Sequence, residues 1–405
     1  MIYASIDIGS DTTKMVVVRY LKEENSYDVL ASTSVRTVGV KKGVITDKAM
    51  AKKSILLGLS EIEKQLGFKL NKAIINIPSY DLEVTIHNGL TYTDDGVIDG
   101  KDISKCFKDT IKDNIKEDRE VITVFPIDFT VDDEDKVRSP IGMKGYKLEC
   151  RILISTVPKE LVYPYLDLLD ECGVEVVDLC VGPVADYYQA YQEDFKNKVG
   201  AVVNIGESKI EVSVFNKGLL VKASTLPIGS RMIDHDIKYI YGFDRMTCRN
   251  LKESLAFATS GYASSTESIE YESLEGEKKK ITQLELSQIV EARLEELLKN
   301  VKKSLKNLTN REISYIIVTG GISNIPGFNF LLESIYGDIT RMINMNAMGV
   351  RSNIYSSSYG AIKYYVDKLA IRGINESMYD EDLLKNKDNT YGNMIDVMQS
   401  FMDND

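Results

Sequence analysis

Residues 5–19 read SIDIGSDTTKMVVVR and residues 202–216 read VVNIGESKIEVSVFN. Both pass from an apolar strand through a glycine turn into a second apolar strand, and they align without a gap. Asp7 falls on Asn204, Gly9 on Gly206, Ser10 on Glu207 and Asp11 on Ser208, with β-branched residues on both flanks. Such flanks around a tight turn are the pattern of a β-hairpin. Two copies in one chain predict a duplicated domain.

The surroundings of the two copies extend this reading. After the first, Ile55, Leu59, Ile62 and Leu66 share one face and predict a helix over 47–66, followed by the strand KAIINI. From 82 to 158 the texture changes to the strands VTIHNGLTYT, VITVFPIDFTV and KLECRILISTV with a helix over 102–114, an inserted α+β subdomain. A helix over 159–172, the strand VEVVDLC and a helix over 183–192 return to the first domain. The second domain is interrupted over 231–310 by a mainly helical region. There Leu294, Leu298, Val301, Leu305 and Leu308 form a helical stripe, with Arg293, Lys299, Lys302 and Lys303 opposite. Within it SSTESIEYESLEGEKKK has few aliphatic residues to bury and reads as an exposed loop. The strand ISYIIVTGG and helices over 329–335 and 359–369 complete the second domain, and beyond Ile371 the chain reads as a polar tail.

Composition narrows the function. With 405 residues, 43% hydrophobic, the chain has material for a sizeable core. A formal net charge of -11 argues against a sequence-independent nucleic-acid binder, which needs a basic face to displace counterions. Five widely spaced cysteines and two histidines, His87 and His235, indicate neither a disulfide framework nor a zinc or histidine relay site. The start MIYASIDIG lacks a charged leader and no apolar run reaches membrane-spanning length, so a cytoplasmic protein is expected.

The turns carry the chemistry. Asp7 ends a buried strand, where its carboxylate can face a hydrated magnesium ion. The amides of Gly9, Ser10, Asp11 and Thr12 can point at phosphate oxygens, and Lys14 adds positive charge. One such turn alone reads as an ordinary hairpin closure. The second, Asn204, Gly206, Glu207 and Ser208, can face the first and enclose a triphosphate. In IIVTGGISNIPGF, Gly320 and Gly321 permit close approach to a flat ligand such as adenosine. No GxxxxGK[ST] or GxGxxG motif occurs, GVIDGKD missing the spacing.

On these motifs the sequence resembles the actin-like ATPases and, among them, the FtsA family of bacterial cell-division proteins. IDIGSDTTK is similar to the first phosphate motif, including Thr13, and NIGESKIEVSVF to the second. IVTGGISNIPGF, including Ile322, resembles the adenosine motif, and DLCVGPVADYYQAY and SSSYGAIKYY the two connecting helices. VITVFPIDFTVDDEDKVRSPIGMKGYKLE resembles the relocated SHS2-type subdomain characteristic of FtsA, which PilM shares. The resemblance implies an α/β, ribonuclease H-like two-domain ATPase fold. Its parts would be 1–81 with 159–198, the insert 82–158, 199–230 with 311–370, the helical insert 231–310, and a linker and amphipathic tip over 371–405. It implies ATP and Mg2+ as cofactors, Lys252 against the adenosine, and head-to-tail self-assembly. It also implies that the helical insert receives the FtsZ C-terminal peptide, with Arg293, Lys299 and Lys303 as contacts. The protein would sit peripherally on the inner face of the cell membrane at the division site.

Two departures qualify this. Asn204 stands where the motif has Asp, and Glu207-Ser208 where many relatives have glycines, so magnesium gains no charge there and Glu207 would repel phosphates. At most a weak ATPase is expected. The tip YGNMIDVMQSFMDND has an apolar helical face in Met394, Ile395, Val397, Met398, Phe401 and Met402, but from Ile371 onward eight carboxylates face three bases. A membrane surface contact through 391–405, docking onto protein and a disordered end all remain open. A PilM-like pilus-assembly protein and an actin-fold small-molecule kinase are the alternative functions.

Overall fold

The computed structural model describes residues 1–384 apart from Asp135, 273–277 and Asn344. Strands β1 (Ile2–Ile8), β2 (Thr12–Leu21) and β3 (Ser26–Arg36) form an antiparallel meander, followed by the short pair β4 (Val40–Lys41) and β5 (Val44–Ile45). Helix α1 (Lys48–Leu66) then leads to β6 (Lys72–Ile77). The Asp47 side chain accepts from the Met50 amide at the start of α1, and Gly67 at φ 81° closes its end. Ile55, Leu59, Ile62 and Leu66 are its buried face.

The chain next builds a separate three-stranded sheet from β7 (Glu83–Tyr92), β8 (Arg119–Val131) and β9 (Lys147–Pro158), ordered β7-β9-β8, covered by α2 (Gly100–Asn114). It re-enters the first body through α3 (Lys159–Asp170), β10 (Glu175–Val181) and α4 (Gly182–Ala190). β10 lies parallel to β6 and β6 parallel to β1, so the first sheet is ordered β10-β6-β1-β2-β3.

The second body repeats the plan. A meander of β11 (Val199–Ile205), β12 (Ile210–Asn216) and β13 (Leu219–Leu226) is followed by α5 (Arg231–Tyr241) and α6 (Arg245–Ser254). The paired strands β14 (Ser268–Glu272) and β15 (Lys278–Thr282) then precede α7 (Gln283–Leu308). β16 (Tyr315–Thr319), α8 (Phe328–Tyr336), β17 (Thr340–Met342) and α9 (Ser356–Ile371) complete the body. The sheet order β13-β12-β11-β16-β17 and the strand directions match the first sheet position for position. The gapless echo between the hairpins is therefore one end of a whole repeated sheet.

Alternation along β11 decides what the second sheet touches. Val202 joins the core around α4 and α9, whereas Ala201, Val203 and Ile205 join the core against α7. Asn204, in phase with Val202, accordingly faces α4 and α9. Those two helices cross so closely that a β-carbon on Gly360 would lie 1.9 Å from the Ala185 carbonyl oxygen, so only glycine fits.

Two expectations need correction. Part of the polar stretch 264–280 is β structure: Ile269 faces a buried Ile281, Glu270 faces Lys280 and Glu272 faces Lys278 across the ladder. Opposite charges in register supply the pairing that missing aliphatics cannot. The segment after Ile371 is also more than a polar tail. The Met378 amide donates to the Ile2 carbonyl at 3.0 Å, the Tyr379 hydroxyl donates to the Lys72 carbonyl at 2.5 Å, and the Tyr379 ring lies 5.4 Å from Phe68. The apolar face proposed over 391–405 lies outside the described residues.

Candidate functional site

The two hairpins close in the same way. Gly9 donates its amide to the Thr12 carbonyl at 3.1 Å, and Gly206 to that of Lys209 at 3.0 Å. Among the described residues no backbone carbonyl accepts from the amides of Ser10, Asp11, Glu207 or Ser208, which leaves those turn N–H groups available to an anion. Both turns border one cavity of about 470 Å³, within the size range of small-molecule sites. Of the sequence-predicted residues, Asp7, Gly9, Ser10, Asp11, Thr12, Lys14, Asn204, Gly206, Glu207, Ser208, Lys252, Gly320, Gly321 and Ile322 line it. Thr13 does not. It alternates to the far side of β2, where its hydroxyl pairs with that of Thr37 at 2.7 Å.

Each wall has its own electrostatics. Lys14 reaches Asp7 at 3.2 Å across the first hairpin, so that carboxylate has a counter-charge before any ligand arrives. In the second hairpin the residue facing Asn204 across the ladder is Glu211, in the place Lys14 occupies in the first. Glu211 is buried, accepts from Lys209 at 2.9 Å, and accepts from the Ser79 amide and hydroxyl on the other domain. Burial pushes its pKa upward, but Lys209 and these hydrogen bonds outweigh that and hold it below the usual carboxylate range. The second wall therefore does contain an ionised carboxylate, one strand over from where the motif places it.

Asn204 has a partner that sequence reading missed. Its side-chain amide donates to Asp186 of α4 at 2.7 Å. The same carboxylate accepts from the Ser356 hydroxyl at 2.7 Å and the Ser357 hydroxyl at 2.9 Å, at the first turn of α9. Burial raises the Asp186 pKa to about 6, partly offset by the three hydrogen bonds. Asn204 at this position avoids placing a second carboxylate beside it.

Helices α5 and α6 trim the acidic turns. Arg245 and Arg231 both contact Glu207, so the repulsion expected between Glu207 and phosphate is offset by two guanidinium groups. Arg249 crosses to Asp11 at 2.6 Å; burial lowers the Arg249 pKa, but Asp11 and Glu253 together outweigh it and raise it. Lys252, almost fully buried, holds Asp234 at 2.6 Å at the cavity wall rather than standing solvated. Gly320, at φ 98°, passes so close to β11 that a β-carbon would sit 2.3 Å from the Ile205 carbonyl oxygen. Beside Gly321 only Ile354 comes within reach of an added β-carbon, at 3.6 Å. That clearance suits a flat ring.

Residues 80–156 match the family described as the SHS2 domain inserted in FtsA, and residues 201–360 match the cell division protein FtsA family. This chain belongs to the FtsA family of cell-division proteins. The FtsA of Bacillus subtilis strain 168 is 27% identical over 376 residues, covering 92% of this chain and 85% of that protein. The FtsA of Streptococcus pneumoniae serotype 2 is 25% identical over 358 residues, covering 87% and 78%. Among solved structures the PilM-PilN type IV pilus biogenesis complex superposes with TM-score 0.58 at 15% identity, covering 92% of this chain and 99% of that one. MreB5 of Spiroplasma citri bound to AMPPNP superposes with TM-score 0.56 at 13% identity, covering 92% and 99%. The fold is that of the actin-like ATPases with the FtsA-type inserted subdomain.

In this FtsA-family chain the residues expected to meet a partner peptide lie apart from the cleft on α7. Arg293 is already held by both oxygens of Asp236, at 2.6 and 2.8 Å, and by Glu296. Lys299 is 69% exposed and pairs with its helical neighbour Glu295, and Lys303 is exposed. Arg293 therefore docks α7 to α5, and the two lysines are the accessible cations of the three. Sequence held one signal for Glu211, its alignment on Lys14. It held none for Asp186, Ser79, Arg245 or Arg249, which reach the site from other elements. Among the described residues no helix is long and apolar enough to cross a membrane.

Proposed function

We propose that this FtsA-family chain binds ATP with Mg2+ in the cleft, polymerises head-to-tail, and links FtsZ filaments to the cytoplasmic membrane, where it recruits later division proteins. The observation that carries the reading is the pair of identically closed hairpins that both line one cavity in a chain of this family. In this reading the free turn amides of both hairpins and Lys14 hold the phosphates, and Asp7 faces the hydrated metal. Gly320 and Gly321 admit the adenosine. A bound metal would offset phosphate charge. The chain's own residues do the positioning. Hydrolysis is slow, because Asn204 has no carboxylate to take a proton from water and the neighbouring Glu211 is already held by Lys209 and Ser79.

The deciding experiment is capture of the intact chain on an immobilised FtsZ C-terminal peptide, with and without Mg2+-ATP. Retention that falls when Lys299 and Lys303 are both changed to Glu supports the reading, and no retention in either state rejects it. Flotation with anionic liposomes, comparing the intact chain with one ending near Asn389, tests the membrane contact. Equal flotation rejects it.

A further inference from the structure

In both domains the residue at the turn end of the central strand has a polar partner on the neighbouring parallel strand. Asp7 lies opposite Asn76 on β6, and Asn204 lies opposite Thr319 on β16. Partners in a parallel ladder point to the same face of the sheet. Both Asn76 and Thr319 are buried and both lack a hydrogen-bond partner, Asn76 at its oxygen and its nitrogen alike. Thr319 does not border the cavity, whereas Asn76 does, on a wall continued by Pro78, Gly182 and Glu211. An amide only 5% exposed with two unsatisfied atoms costs free energy that an apolar residue in the same strand would not.

We infer that Asn76 is a ligand-facing residue of the cleft that orders the water shell of a divalent cation bound with the nucleotide, and this rests on the nucleotide-binding reading above. A small divalent cation of the magnesium type keeps several waters, and those waters can only donate to the protein. The Asn76 oxygen accepts from such a water beside Asp7, and its nitrogen donates to a phosphate oxygen, so one side chain satisfies both ligand components. A carboxylate there would offer no donor, and with Asp7 and Glu211 near it would add a third negative charge to the floor. The neutral amide is the group that serves both components without that repulsion.

The test is ATP binding by calorimetry on the full chain, in Mg2+ and in EDTA, with thermal unfolding of the ligand-free protein alongside. Asn76→Val is expected to weaken binding in Mg2+ about five- to tenfold, the loss of about one hydrogen bond or slightly more. Affinity in EDTA falls by less, about two- to threefold for the phosphate contact alone, and the ligand-free melting temperature is unchanged or higher because an unsatisfied amide is gone. Asn76→Asp keeps the acceptor but loses the donor and adds charge, so its affinity is expected to fall more in EDTA than in Mg2+, and an equal loss in both buffers would overturn the assignment, which covers the case in which the valine variant folds poorly. Undiminished affinity of Asn76→Val in Mg2+, or an equal loss in both buffers, overturns the assignment while the cleft remains a nucleotide site. Absence of ATP binding by the wild type in both buffers overturns the nucleotide reading and this one with it.

Discussion

Asp186 joins three elements through one carboxylate, and its burial makes it a measurable contributor to stability. Its folded pKa, about 6, is raised above the ordinary 3.8, so between about pH 4 and about pH 6 the folded state holds a proton that the unfolded chain has released. This group's contribution to stability thus falls as pH rises through that window and is constant above it. Asp186→Asn should remove about 2–3 kcal/mol of that slope, read from urea unfolding midpoints across the window. Asn204→Asp tests the neighbouring position. Two carboxylates in hydrogen-bond contact inside the protein cannot both ionise, so this variant should lose about 2–4 kcal/mol at pH 8 and less at pH 5, where the pair shares a proton. An undiminished midpoint at pH 8 would mean that Asp186 and Asn204 do not meet in solution. None of this was legible in sequence. Asn204 appeared there as a missing charge, because its partner lies on α4, 18 residues earlier, with nothing local marking the contact.

At the scale of elements, α6 places Arg245 on the second turn, Arg249 on the first turn across the cleft, and Lys252 on Asp234 of α5. Spacings of four and three residues put all three side chains near one face. Arg249→Ala should therefore loosen the mouth of the cleft without unfolding the protein. Release of a fluorescent ATP analogue is expected to quicken about three- to tenfold in stopped flow, while stability changes by less than about 1 kcal/mol, since the pair is partly exposed. Release at the wild-type rate would show that the pair does not guard the site. Sequence reading found the strands, turns and helix stripes because their periodicities are local. It missed the strands β14 and β15 because charged residues fill the positions where aliphatics usually signal a strand, and pairing of Glu270 with Lys280 is visible only once the register is known.

On the scale of the molecule, duplication explains why so much of the architecture was readable: one hairpin pattern, found twice, implied two sheets of the same order. The segment from Ile374 to Tyr379 was not readable, since its anchors Ile2, Lys72 and Phe68 lie at the opposite end of the chain. A chain ending at residue 373 should melt about 5–10 °C below one ending at residue 384, mainly through the lost burial of Tyr379. Matching melting temperatures would show that this strap adds nothing. The crossing of α4 and α9 bears on motion. Gly360 against Ala185 sets backbone on backbone, and beside it Tyr188 packs edge-on against Tyr364 and donates to Asp367 at 2.7 Å, so the crossing leaves no room to slide. Such a joint behaves as a pivot rather than a sliding seam. Any opening between the two halves is then expected as a rotation about that fixed contact, which would part Arg249 from Asp11, rather than as a shift along it.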